Sequence, residues 1–371
     1  MLQIDKRHLT NFDTKLLLLI VMINLYGIFA IYSASYDMSA GTFSTFYKKQ
    51  IAWFVLGLIA FLFFSFLSYK RLIRYAYFLY IVGLFLLSVV LIFGHIGMGA
   101  QRWINIGGFR LQPSEIFKII FVIMLAYTFR DMSEKKLNFI DIFKKMLFLI
   151  PVFLLIFLQP DLGTATIFLA VWAMVLLYRG VTRWTFIFSF ISFIVILPLL
   201  WLNLREYQKN RILTFLNPER DPFGSGYHVI QSKIAIGSGG ISGKGFLQGT
   251  QTHLKFLPER HTDFIFSLIG EEFGLIGCGV LILLFLILIY RVTTISFVTE
   301  EPTAKIICIA TASLIFFQTF VNAAMTVSLM PVVGIPMPFV SYGGSSLITF
   351  MSLLGIVNSV NMRKFNSPSE Y

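Results

Sequence analysis

Charge is scarce in this chain of 371 residues: only 13% of positions are Asp, Glu, Lys or Arg. With 57% hydrophobic and 16% aromatic residues and a mean hydropathy of +0.80, that scarcity excludes a water-soluble globular fold and makes lipid the solvent for most of the chain. Cysteine is nearly absent. Cys278 and Cys308 both lie inside apolar runs, which argues against a disulfide framework and for a packing role. The five histidines are scattered, and no His-x-x-x-His or Cys-x-x-Cys spacing occurs. No protein-held metal site is therefore expected, and Mg²⁺ or Mn²⁺ has a way in only through phosphate groups of a substrate. Acid is scarcer than base, 18 residues against 30. The bases fall in short loops between apolar runs, which argues against nucleic acid as a partner and for topology and anionic lipid contact. No internal repeat is evident.

What is present is a series of apolar runs. A span needs roughly 20 apolar residues, because about 30 Å of hydrocarbon is crossed at about 1.5 Å per residue. About ten segments qualify, near 15–34, 50–68, 73–93, 114–129, 143–158, 164–178, 184–204, 263–290, 304–329 and 345–362. The first follows Lys6, Arg7 and Lys15 and exceeds a signal-peptide core, so it reads as a retained helix. The fourth to sixth are short and flank Pro160, where a tight turn or a tilt is expected. Lys and Arg concentrate in alternate short loops: Lys70, Arg71 and Arg74; Arg130, Lys135, Lys136, Lys144 and Lys145; then Arg179, Arg183, Arg291, Lys305, Arg363 and Lys364. The opposite short loops hold only Lys48, Lys49, Arg102 and Arg110. Basic residues mark the cytoplasmic side, so both termini are expected inside. The fold class is an all-α polytopic membrane protein with one large extracytoplasmic loop, 205–262, between helices 7 and 8. Its aromatic and apolar residues predict amphipathic helices at the membrane surface rather than disorder.

Several groups on the extracytoplasmic side could carry chemistry. Asp263 opens the eighth span beside Arg260 and His261. It reads either as a helix-start acid stabilised by the macrodipole or as a base at the lipid-water boundary, placed to take a proton from a substrate hydroxyl. Desolvation would raise its pKa and the neighbouring cations would lower it. Glu115 and Lys118, three residues apart on one helix face, read as an internal ion pair or as groups that position a site. Asp161 reads as a cap for the sixth helix. Arg102, Trp103, Arg205, Lys209, Arg211, Lys233, Lys244, Lys255 and Arg260 lie in the extracytoplasmic loops, and their cations suit a substrate carrying a diphosphate. The charge-free stretch from Pro331 to Ser346 reads as a cavity wall.

Four motifs together resemble the signatures of the SEDS (shape, elongation, division, sporulation) family, across nearly the whole chain. They are Phe256 to Phe266, with Glu259-Arg260-His261-Thr262-Asp263 at the centre; Gln112-Pro113-Ser114-Glu115; Gln159-Pro160-Asp161-Leu162-Gly163-Thr164; and Pro338 to Ser346. Residues 216–222, 243–251 and Arg260 resemble the RodA branch rather than FtsW, and Phe339 stands where leucine is common. The resemblance implies one SEDS-like membrane domain over 1–371. It implies a peptidoglycan glycosyltransferase that joins lipid II units by β-1,4 bonds on the outer face of the bacterial cytoplasmic membrane. Donor and acceptor lipid II, a class B penicillin-binding protein and the elongation machinery are the implied partners. On the same resemblance Asp263 matches the essential aspartate, Glu115 and Lys118 the functional pair, and Trp103 an outer-loop tryptophan. Arg211, Lys233 and Arg260 are diphosphate contacts chosen on location and charge. A flippase or transporter for the same precursor is the alternative, and a non-catalytic scaffold is a third.

Overall fold

The structure is a computed structural model that describes residues 11–37, 41–97, 100–106, 109–130, 136–221, 224–254, 256–257 and 259–364. Lys6, Arg7, Lys135 and Lys255 lie outside the described residues. Helix α1 (Thr14–Ala34) is followed by a two-residue hairpin, β1 (Tyr36–Asp37) with β2 (Thr42–Phe43). Then come α2 (Phe46–Phe66), the short α3 (Tyr69–Arg74) and α4 (Ala76–Phe93). An antiparallel sheet, β3 (His95–Gly97), β4 (Ala100–Ile106) and β5 (Phe109–Leu111), leads into α5 (Pro113–Thr128). Next are α6 (Phe139–Met146), α7 (Leu149–Leu158), α8 (Leu162–Arg179) and α9 (Arg183–Asn203). The long polar segment folds as α10 (Glu206–Leu216), α11 (Ser225–Gly239) and the single turn α12 (Thr250–His253). Helices α13 (Ile265–Val298), α14 (Pro302–Thr326) and α15 (Gly344–Met362) complete the chain.

Eight of these helices are long and apolar enough to cross a membrane, and α7 is a shorter apolar one. The body is the expected helical, multi-pass architecture, with α14 and α15 at its centre. Of their span residues 78% and 89% are buried, against 6% for α9, which stands at the periphery and presents Trp184, Phe188, Phe190 and Val195 outward. The small strands in two loops were not anticipated, since pieces of two to seven residues carry almost no periodic signal.

The predicted fifth span, 143–158, needs correction. The chain instead makes α6, breaks at Leu147 and Phe148, and starts again as α7. Asn138 and Asp141 form a capping box that starts α6 four residues early, and Lys144 and Lys145 end it. Lys144 and Lys145 thus belong to a separate short helix, not to the start of a span.

The two described ends of the chain meet on one face. Asn361 Nδ2 donates to Asn11 O at 2.8 Å, and the Asp13 amide donates to Asn358 Oδ1 at 3.1 Å. On the same face Arg291 Nε reaches Asp13 Oδ2 at 2.8 Å. Antiparallel to α1, α13 climbs from there past the Tyr26 hydroxyl, which donates to Gly277 O at 3.2 Å. It reaches the opposite face where Ser33 Oγ donates to Glu272 Oε1 at 2.5 Å.

Near that opposite face α13 is interrupted. Gly274 has φ 62° and ψ −158°, a conformation open essentially to glycine alone. The glycine-dense stretch after α11 fills the break. Lys244 N and Gly245 N donate to the freed carbonyls of Glu271 and Glu272, each at 3.0 Å, while the freed amides of Leu275 and Ile276 donate to Gly240 O at 2.9 Å and Ile241 O at 3.1 Å. Four backbone groups that the break would otherwise leave without partners are thus satisfied. Helix α11 packs on protein as well, burying Val229, Ser232 and Ala235, with Ser232 Oγ donating to Thr326 O at 2.6 Å. This anchoring on α13 and α14 differs from the surface helix expected for the segment.

Candidate active site

Asp263 sits in the turn that ends the long polar segment, on the face opposite the chain ends. Helix α13 takes Phe264 as its N-cap and has no side-chain cap, so the helix-start reading of Asp263 loses its support. The turn is built by its neighbours. Phe264 N donates to Glu259 O at 3.3 Å, Thr262 Oγ1 to Glu259 Oε2 at 2.9 Å, and Tyr342 N to His261 O at 2.8 Å. Ser341 Oγ donates to Thr262 O at 2.6 Å, and Asn322 Nδ2 to Asp263 O at 3.0 Å. The loop Pro331 to Ser341 and the end of α14 therefore hold the Asp263 backbone.

Asp263 is half-buried as a residue. Burial and then Glu259 push its pKa up to about 6, with a smaller upward contribution from Asp161, against Arg211 and Arg102, which hold it down. Burial also lowers the pKa of Arg211, as does Arg102, while Asp263 raises it. Among the described residues no ion pair joins Asp263 and Arg211 directly. Gly334, at φ 71°, lies between them. A Cβ there would stand 3.3 Å from Asp263 Oδ2 and 3.9 Å from Arg211 Nη1, so the glycine keeps space open between a carboxylate and a guanidinium. Arg102 lies on the rim, 3.6 Å from Asp161 Oδ1 and donating to Pro160 O. Asp161 also caps α8, accepting from Thr164 N at 3.2 Å, as its position predicted.

Glu115 and Lys118 are buried at the start of α5, 2.6 Å apart. Lys118 Nζ also donates to Gln318 Oε1 at 3.0 Å, and Gln318 Nε2 donates to Pro336 O at 2.9 Å. One turn along α14, Asn322 Nδ2 donates to Ile335 O at 2.7 Å as well as to Asp263 O. The pair is thus tied through α14 to the loop carrying Gly334 and to the backbone of Asp263. Glu115 Oε2 is buried without a hydrogen-bond partner.

The remaining sequence candidates fall elsewhere. Trp103 is on β4, opposite His95 and next to Arg102. Lys233 is exposed on α11. Arg260 turns away from Asp263, its guanidinium donating to Thr252 O and to Tyr36 O, the latter at 3.1 Å. His261 stacks on Phe46 at 4.3 Å, and burial lowers its pKa. Among the described residues of the basic set, Arg211 and then Arg102 hold the Asp263 pKa down.

Sequence reasoning passed over a second polar cluster. Glu271 accepts from Lys244 Nζ at 2.7 Å, Gln251 N at 2.8 Å and Thr252 N at 3.1 Å. Glu272 accepts from Ser33 and meets His253 Nε2 at 2.9 Å, while His253 Nδ1 lies 3.3 Å from Tyr36 O. This cluster clamps the segment before Asp263 onto α1 and α13. Two adjacent acids inside an apolar run were its signal in the sequence.

A carboxyl of raised pKa with two arginines acting on it, at one end of a bundle of apolar helices, is the arrangement of a membrane protein with a candidate acid-base site. The family model for FtsW, RodA and SpoVE, described as "Cell cycle protein", matches residues 14–366. The chain belongs to that family. It is 39% identical over 363 residues to the peptidoglycan glycosyltransferase MrdB of Escherichia coli, covering 97% of this chain and 95% of that one. Among solved structures it resembles a chain of a peptidoglycan synthase complex that coordinates polymerization and crosslinking, with a TM-score of 0.81 and 32% identity over 96% of this chain and 99% of that one. It also resembles the rod shape determining protein RodA of Thermus thermophilus, with a TM-score of 0.70 and 28% identity over 96% and 98%.

Proposed function

We propose that this chain is a peptidoglycan glycosyltransferase of cell elongation, polymerising lipid II with Asp263 as general base. The observation that carries the reading is geometric: the Asp263 carboxyl faces Arg211 across a gap that Gly334 keeps open, and burial pushes its pKa up to about 6. A base is most effective when its pKa lies near the working pH. Ionised Asp263 takes the proton of an acceptor sugar 4-hydroxyl as that oxygen attacks the anomeric carbon of the donor. The bond from that carbon to the diphosphate breaks, and undecaprenyl diphosphate leaves with the electron pair. Inversion of an α-linked donor gives the β-1,4 bond in one displacement, so no covalent intermediate is needed. Arg211 and Arg102 stabilise charge developing on the diphosphate. Glu115 and Lys118 hold the frame in which base and cation face each other. We assign the diphosphate to these two arginines rather than to Lys233 or Arg260, whose surroundings give less support. Trp103 is assigned to the rim of the same mouth.

Mg²⁺ or Mn²⁺ would enter on the diphosphate oxygens of the substrate rather than through protein ligands. The orientation proposed is multi-pass in the bacterial cytoplasmic membrane, both termini inside and the Asp263 mouth outside, on the strength of the basic loops. The partner proposed is a class B penicillin-binding protein within the elongation machinery, by analogy with the similar synthase complex.

Purified protein with its partner, given labelled lipid II in detergent, is expected to yield glycan chains. Lipid II translocation in liposomes with no polymer would reject the polymerase reading in favour of a flippase.

A further inference from the structure

On the face where the chain ends meet, a pocket of about 230 Å³ opens between the start of α4, the end of α5 and the junction of α6 with α7. Three aromatic rings line it: Tyr77, Tyr127 and Phe148. Three cations also line it: Arg130, Lys144 and Lys145. The rings are fixed by one another, Tyr77 meeting Tyr127 at 4.8 Å and Phe148 at 5.8 Å between centroids. The Phe148 backbone is held in turn by the Tyr80 hydroxyl, which donates to its carbonyl at 2.7 Å. Two of the cations are set in advance. Arg130 lies over Tyr127 at 4.4 Å, and Lys145 Nζ donates to Thr128 O at 2.5 Å while lying 4.6 Å from the centre of Phe129.

Helix α6 sets the level of the pocket relative to lipid. Phe139, Ile140 and Phe143 are exposed by 47%, 67% and 57%, one turn from Lys144 and Lys145. An apolar stripe bordered by cations is how a helix lies in the headgroup layer. The volume is below the roughly 300 Å³ at which clefts for whole drug-sized ligands begin, so it suits a headgroup rather than a nucleotide or a sugar chain.

We propose that this pocket binds the phosphodiester headgroup of an anionic phospholipid, of the phosphatidylglycerol type, with the three cations on the phosphate and the three rings against the glycerol and the first acyl methylenes. Charge on that scale near an anionic surface contributes about fivefold in affinity for each Lys or Arg. The site is separate from the Asp263 mouth, and it stands whether or not the polymerase reading holds.

The test uses the full chain in neutral detergent, with bound lipid counted by native mass spectrometry during titration with phosphatidylglycerol or phosphatidylcholine. The wild-type protein is expected to retain one phosphatidylglycerol and no phosphatidylcholine. Lys144→Gln should weaken retention about fivefold, and the combined Arg130→Gln, Lys144→Gln and Lys145→Gln variant about a hundredfold. Because Lys145 also holds the end of α5, the exposed Lys144 carries the test alone where the triple variant loses its thermal transition. Retention unchanged in Lys144→Gln overturns the proposal. Displacement of the lipid by an equal concentration of inorganic phosphate also overturns it, because the site would then be one for free anions.

Discussion

Replacing Asp263 with Asn is expected to make the protein more stable at neutral pH while removing its polymerase activity. A carboxyl whose pKa is higher in the fold than in the unfolded chain binds more protons when folded. Stability therefore falls as pH rises between the two values and stays lower above both. For Asp263 those values are the ordinary 3.8 and about 6. At about 1.4 kcal/mol for each pH unit, the ceiling is about 3 kcal/mol. Asp263 as a whole residue is half-buried rather than enclosed, and solvent screening brings the expectation to about 1–2 kcal/mol. Asn has the shape of the protonated acid and no charge to desolvate, so it avoids that cost. Melting of both proteins in one detergent, followed by intrinsic fluorescence at pH 7.5 and at pH 4.5, should show the Asn variant higher by about 2–4 °C at the first pH. Most of that margin should be gone at the second. A variant that melts lower than wild type at pH 7.5, or a margin that does not change with pH, would refute the claim that the fold holds this carboxylate against its preference for water.

Three further outcomes follow from the geometry. Gly334→Ala puts a methyl group between the base and Arg211 at a position with φ 71°, and kcat/KM for lipid II should fall roughly 10- to 100-fold; an unchanged value would show that the gap is not where reaction occurs. Glu115→Ala should inactivate, with Glu115→Lys combined with Lys118→Glu restoring part of the rate, since the pair acts by tying α5 to α14; no recovery would assign the two residues separate chemical roles. Arg211→Gln should raise KM for lipid II and weaken product diphosphate inhibition, whereas Arg260→Gln should lower the melting temperature with little change in KM, because Arg260 is committed to the carbonyls of Tyr36 and Thr252; equal KM effects would contradict that division.

The body of the fold was legible because lipid imposes a strong rule. Runs of about twenty apolar residues must be helices, and the spans at 15–34, 184–204 and 345–362 fall within two residues of α1, α9 and α15. Where the rule weakens, so does the reading. The stretch 143–158 mixes a capped amphipathic turn with a ten-residue apolar helix, and hydropathy alone cannot divide them. The break at Gly274 is invisible to composition, because it is made by backbone groups from residues 240–245 that arrive from a distant part of the chain. At the site, Asp263, Glu115 and Lys118 stood out as charges next to or inside apolar segments, a costly placement that calls for a reason. The choice among the basic residues could not be read the same way. Arg211 and Arg260 are alike in sequence terms, and only the tertiary path of the loop turns one toward Asp263 and the other onto the β1 hairpin.

The central claim is that the charge state of Asp263 governs sugar transfer. The most direct measurement is the pH dependence of kcat/KM for lipid II polymerisation, made with wild type and with Asp263→Glu and Asp263→Asn. The base must be ionised, so the wild-type rate should fall as pH drops through about 6, some two units above an ordinary aspartate. The Glu variant should keep a reduced rate with an acid limb of its own, and the Asn variant should form no polymer at any pH. Polymer from the Asn variant, or a wild-type rate that stays level down to pH 4.5, would contradict the account.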